Sequence, residues 1–79
     1  MSVFEQLQAA IAGALKVSPT VITETTEPQD VSAWDSLGHL QVMMAVEQTF
    51  DLMLEVEDFA RLNTVPVILQ YLKEHGNGS

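Results

Sequence analysis

Between Leu37 and Phe50 the apolar residues of this chain fall on a helix in two separate sectors. No other feature constrains the fold as strongly. At about 100° per residue, Val42, Met43, Val46 and Phe50 project to one side and suit a core, while Leu37, Leu40 and Met44 cluster apart, next to Ser36. A chain of 79 residues builds a single core, because a domain this small buries only about 60% of its unfolded surface. The Leu37 sector must therefore be wrapped by the other helices or shown to a partner. The residues favour a partner: methionine adapts to differently shaped surfaces, and Gln41, Glu47 and Gln48 supply a polar border.

The remaining segments supply the walls of that core. Ser2 is placed to cap a first helix in which Phe4, Leu7, Ile11 and Leu15 recur at helical spacing, and the surrounding alanines favour helix. Lys16 suits the negative pole of that helix, and Pro19 prevents its continuation. From Val17 to Trp34 periodicity is lost amid two prolines and four threonines. This long connector is expected to cross the bundle pinned by Val21, Ile22, Val31 and Trp34.

Past Phe50, Leu52 and Leu54 alternate and are expected to turn inward. A short third helix follows, with Glu55, Glu57 and Asp58 near its positive start and Phe59 and Leu62 on its apolar face. Thr64 is placed to cap the last helix, Pro66 fits its first turn, and Val65, Ile68, Leu69 and Leu72 form its stripe. Gly76 is expected to end it. The expected fold is thus all-α, a small four-helix bundle of three main helices and one short one, with a long loop between the first two. It is one domain over residues 1–79, with 76–79 a flexible tail.

Chemistry concentrates at Asp35-Ser36. Asp35 is well suited to cap the second helix, and Ser36 then points outward beside backbone N–H groups that have no helical acceptor. A phosphate on Ser36 would be well placed there, although Asp-Ser is also ordinary capping chemistry. The net charge of -8 rests on eleven acids against Lys16, Arg61 and Lys73. Three scattered cations cannot neutralise a nucleic acid backbone, whereas the acidic surplus attracts basic protein surfaces, or simply serves solubility.

With no cysteine, no disulfide framework or thiolate metal site can form, and any thiol must be imported. No nucleophile and base constellation and no Gly-x-Ser-x-Gly signature is present, so no catalytic residue is assigned and the chain does not read as an enzyme. His39, one turn from Ser36, reads as a surface or core-rim histidine. No apolar run approaches the roughly 20 residues needed to cross a bilayer, so membrane insertion is not expected, and the chain reads as cytoplasmic.

Trp34-Asp35-Ser36-Leu37-Gly38-His39-Leu40, followed by Glu47, Phe50-Asp51-Leu52 and Thr64-Val65, resembles the acyl carrier protein family over nearly the whole chain. The resemblance implies that Ser36 accepts 4′-phosphopantetheine from coenzyme A through a separate phosphopantetheinyl transferase that recognises Asp35. The arm's thiol then carries acyl groups as thioesters. The implied partners are acyl-loading and acyl-transferring enzymes with basic docking surfaces, which touch Leu37, Leu40, Met44, Glu47, Glu55, Glu57 and Asp58. The protein is expected to be a monomer serving fatty acid, polyketide or related lipid biosynthesis.

The chain departs from the common Asp-Ser-Leu-x-x-Val-Glu pattern at Leu40-Gln41, and Gly38 and His39 replace more polar or acidic choices. These departures point away from a housekeeping role toward a dedicated pathway. An aminoacyl or peptidyl carrier, or an unmodified acidic helical adaptor, are the alternatives. Val42, Met43, Val46, Phe50, Phe59, Ile68 and Leu72 are the residues expected to surround an acyl chain drawn into the bundle.

Overall fold

The computed structural model describes residues 2–75 and is all-helical over them. Helix α1 runs Val3–Leu15, α2 Ser36–Phe50, α3 Val56–Arg61 and α4 Val65–His75, with two single 3-10 turns in the connector, Pro19–Val21 and Pro28–Asp30. The expected four-helix bundle, with one short helix, is what forms. Residues 76–79, expected to be a tail, lie outside the described residues.

Helix α1 starts on a reciprocal cap: Glu5 N–H donates to Ser2 Oγ at 3.1 Å, and Ser2 N–H donates to Glu5 Oε1 at 3.0 Å. That backbone hydrogen bond from Ser2 is the main reason the Glu5 carboxyl is held below its ordinary range. Both long helices end at residues other than glycine in the left-handed region, α1 at Lys16 (φ 60°) and α2 at Asp51 (φ 53°). Each turns its backbone N–H back onto a carbonyl of the last helical turn, Ala12 for Lys16 and Glu47 for Asp51.

The core is one contiguous cluster. Leu7, Ile11 and Leu15 of α1 meet Val42, Met43 and Val46 of α2, and Val65, Ile68 and Leu72 of α4 close it from another side. Fully burying each such side chain favours the fold by about 1.5–3 kcal/mol. The expected core sector of α2 is therefore correct, and Phe4, Phe50, Leu52, Phe59 and Leu69 pack half-buried at its edge.

The connector is pinned as expected by Ile22, Val31 and Trp34, but Val21 is exposed rather than anchoring. Val21 closes the first 3-10 turn, and the inward position in that stretch falls to Ile22. Polar groups do the rest of the pinning. The Gln8 amide donates to the carbonyls of Pro19 at 2.9 Å and Ile22 at 2.8 Å, tying the first turn of the connector to α1. Thr26 is buried; its hydroxyl accepts from Thr23 N–H at 2.8 Å, and its carbonyl accepts from Val65 N–H at 3.0 Å. Thr64 Oγ1 accepts from Val67 N–H at 3.3 Å, so the expected cap of α4 is in place.

The connector meets α2 at Gly38. A Cβ there would run into the Ala33 carbonyl and lie 2.9 Å from Leu15 Cδ2. Only glycine allows the connector's last turn and α1 to approach the first turn of α2 this closely. Gly13, by contrast, has open space where a side chain would be.

Candidate functional site

Ser36 is the first residue of α2 and is exposed. Asp35 caps the helix in an extended conformation, its carboxylate accepting from Gly38 N–H at 2.8 Å while its carbonyl accepts from His39 N–H at 2.7 Å. Those bonds account for the third and fourth donors of the helix start, and the Ser36 and Leu37 N–H groups have no acceptor among the described residues. The Ser36 hydroxyl has no partner among the described residues. A phosphodiester at Ser36 fits this arrangement on three counts: an uncommitted nucleophilic oxygen, two free N–H donors beside it, and the positive pole of a fifteen-residue helix.

An open groove of about 700 Å³ begins at this serine. Asp35, Ser36, His39 and Leu40 form its α2 side, Pro28 and Trp34 its connector side, and Val56, Phe59, Ala60 and Asn63 its α3 side. Of the core residues expected to surround an acyl chain, only Phe59 lines it; Val42, Met43, Val46, Ile68 and Leu72 are closed inside the bundle.

The second apolar sector of α2 is exposed as the sequence suggested, with Leu37 at 65%, Leu40 at 49% and Met44 at 53% of full exposure. Val56, 89% exposed at the start of α3, shares the groove with Leu40, and Met53 in the preceding segment is exposed to 87%. Sequence reasoning passed over both. The alternation that turns Leu52 and Leu54 inward already implied that Met53 faces out.

The acids divide into two groups. Glu55 and Glu57 are exposed. Glu47 is half-buried, and its carboxylate accepts from Leu54 N–H at 2.8 Å, so it fastens the segment between α2 and α3. Asp58 is engaged within its own helix. It is 5% exposed, accepts from Glu55 N–H at 3.0 Å, and is paired with Arg61 at 2.9 Å. The cause is simple: at the third position of a short helix an acid reaches back to cap the helix start.

His39 lies at the groove rim, half-buried, with both ring nitrogens engaged by Trp34 and Phe59.

A family model described as "Phosphopantetheine attachment site" matches residues 5–72. Three curated relatives, acyl carrier proteins of Streptococcus pyogenes serotypes M1, M3 and M18, are each 36% identical over 74 residues, covering 94% of this chain and 96% of theirs. The chain belongs to the acyl carrier protein family. As a member of that family it is a carrier rather than a catalyst, and it uses covalently attached 4′-phosphopantetheine. Within the acyl carrier chain described above, Ser36 combines an exposed, unpartnered hydroxyl with a helix start that favours a phosphate.

Proposed function

We propose that Ser36 receives 4′-phosphopantetheine from coenzyme A through a separate phosphopantetheinyl transferase that reads Asp35 and the exposed start of α2. When bound, the group supplies a thiol that this cysteine-free chain lacks and holds acyl cargo as a thioester. The rest falls to the chain's own side chains. Asp35 fixes the helix start, the N–H groups of Ser36 and Leu37 would be available to the phosphate, and the groove lined by Leu40, Val56 and Phe59 would offer the arm an apolar resting surface.

Acyl-loading and acyl-transferring enzymes dock on Leu37, Leu40 and Met44, with Glu55 and Glu57 attracting their basic surfaces and Glu47 bordering the patch. The exposure of that patch on an acidic protein supports this choice of partner chemistry. Tethering lets each enzyme use a weak contact efficiently, because the cargo arrives at high effective concentration. We assign the protein to the cytoplasm as a monomer. No described helix is long and apolar enough to cross a membrane. Its pathway is fatty acid, polyketide or related lipid biosynthesis.

The observation that carries this reading is the uncommitted Ser36 hydroxyl at the capped start of α2. Its test is intact mass after incubation with coenzyme A, magnesium and a broad-specificity transferase. Wild type is expected to gain one arm, and Ser36→Ala, which removes an exposed oxygen and nothing from the core, is expected to gain none while keeping its helical circular dichroism. Modification of Ser36→Ala, or of neither protein, would sink the assignment.

A further inference from the structure

Both nitrogens of the His39 ring are committed, and to groups whose roles are fixed. The Trp34 indole N–H, which can only donate, points at Nδ1 from 3.0 Å; the Phe59 carbonyl, which can only accept, lies 2.6 Å from Nε2. The ring is therefore neutral, with its hydrogen on Nε2 and a bare Nδ1. Indole and imidazole lie edge to edge and nearly coplanar, with centroids 6.2 Å apart and planes inclined by 22°. One side chain thus joins three elements: the end of the connector, the first turn of α2, and α3. All three contributing residues line the groove at Ser36. Helix α3 has six residues, too few to hold its place without tertiary contacts.

We propose that His39 is a positioning residue for the groove, holding connector and α3 against α2 as the neutral Nε2–H tautomer and releasing the Trp34 wall when it takes up a proton. The proposal rests on the reading that the arm is attached at Ser36, since that is what gives the groove an occupant. A proton on Nδ1 puts a second donor opposite the indole N–H at 3.0 Å, and two donors cannot share that space. The Phe59 carbonyl still accepts from the imidazolium, so the link that breaks is the one to Trp34. Asp35 is the titratable neighbour on the α2 side of the groove, and its carboxylate is already engaged by Gly38 N–H. Pro28 and Trp34 from the connector, and Val56, Phe59, Ala60 and Asn63 from α3, carry no charge.

Trp34 is the sole tryptophan, so its indole N–H resonance and fluorescence report the link directly. The first experiment uses the unmodified protein and is independent of any attachment. At pH 8 the ring nitrogen shifts are expected to show Nδ1 bare and Nε2 protonated. As the pH is lowered from 8 through the range in which the ring nitrogen shifts themselves report proton uptake by His39, the hydrogen-bonded indole shift is expected to be lost and fluorescence quenched in one transition. His39→Gln, whose amide offers one acceptor and one donor and does not titrate, is expected to keep the link at both ends of that range. His75→Gln, which alters the other histidine, is expected to keep the wild-type transition.

A protonated Nδ1 at pH 8, an indole signal that stays flat while the His39 ring titrates, or a transition surviving in His39→Gln would each overturn the latch. If His39→Gln does not fold, the ring nitrogen shifts of wild type decide alone. The second experiment follows the backbone amide resonances of Gln29 and Trp34, on the connector side of the groove, in the modified protein over the same pH range. They are expected to shift with the indole in wild type, and their failure to do so would overturn the link to the groove. Failure of the attachment itself would appear as an absent mass gain and leave the first experiment intact.

Discussion

A methyl group added at Gly13 or at Gly38 has opposite consequences, although both glycines lie inside helices. At Gly13 nothing lies within reach of a new Cβ, so Gly13→Ala is expected to stabilise the protein by about 0.5–1 kcal/mol through helix propensity. At Gly38 the new Cβ meets a backbone carbonyl that cannot swing aside. Gly38→Ala is expected to destabilise by about 1–3 kcal/mol, strain outweighing propensity. Urea unfolding of the two variants gives both signs. At this scale the sequence was readable where the chemistry is local: Asp35, Ser2 and Thr64 cap the helices they precede because their own side chains reach the next turn. It was not readable where the partner comes from elsewhere in the chain. Ala33 approaching Gly38, and Trp34 and Phe59 converging on His39, leave no spacing signal.

Helix α1 and the connector depend on polar contacts that can be tested singly. Glu5 has a lowered carboxyl pKa in the folded state, so its contribution is present above the ordinary value of 4.5 and is lost as pH falls through the lowered folded value. Glu5→Gln is therefore expected to flatten the acid limb of the stability curve while leaving the neutral limb with only the loss of the cap, as read by thermal unfolding between pH 3 and pH 7. In the connector, Thr26→Val keeps the shape but removes the acceptor of Thr23 N–H. An expected loss of about 1–3 kcal/mol in urea unfolding follows from leaving that donor unpaired. Apolar anchors such as Ile22 and Trp34 could be picked out by type. The structural threonine could not, because four threonines in one loop look alike until one of them is buried.

For the molecule as a whole, charge and apolar surface divide the work of recognition. With a net charge of -8, association with a basic transferase is expected to slow as salt rises, since exposed charges are screened beyond about 10 Å at 0.1 M ionic strength. Glu57→Gln is expected to slow association at low salt, whereas Leu40→Ala and Met44→Ala are expected to speed dissociation; stopped-flow measurements separate the two. The division of labour among the acids was the least legible part of the surface. Composition counts Asp58 and Glu57 equally, but one is folded into a cap and an ion pair while the other is free in solvent.

The hydrogen bond from Val65 to the Thr26 carbonyl spans half the chain, and Gln8 grips the connector's opening turn from the other side. The Gln8 grip lies wholly within residues 1–27, so after a nick in the backbone just after Glu27 the Val65 bond and the packing of Leu7, Ile11 and Leu15 in the shared core would join the two pieces. The leading fragment would keep its hold on the head of the final helix, and the severed protein would stay assembled until something denatured it.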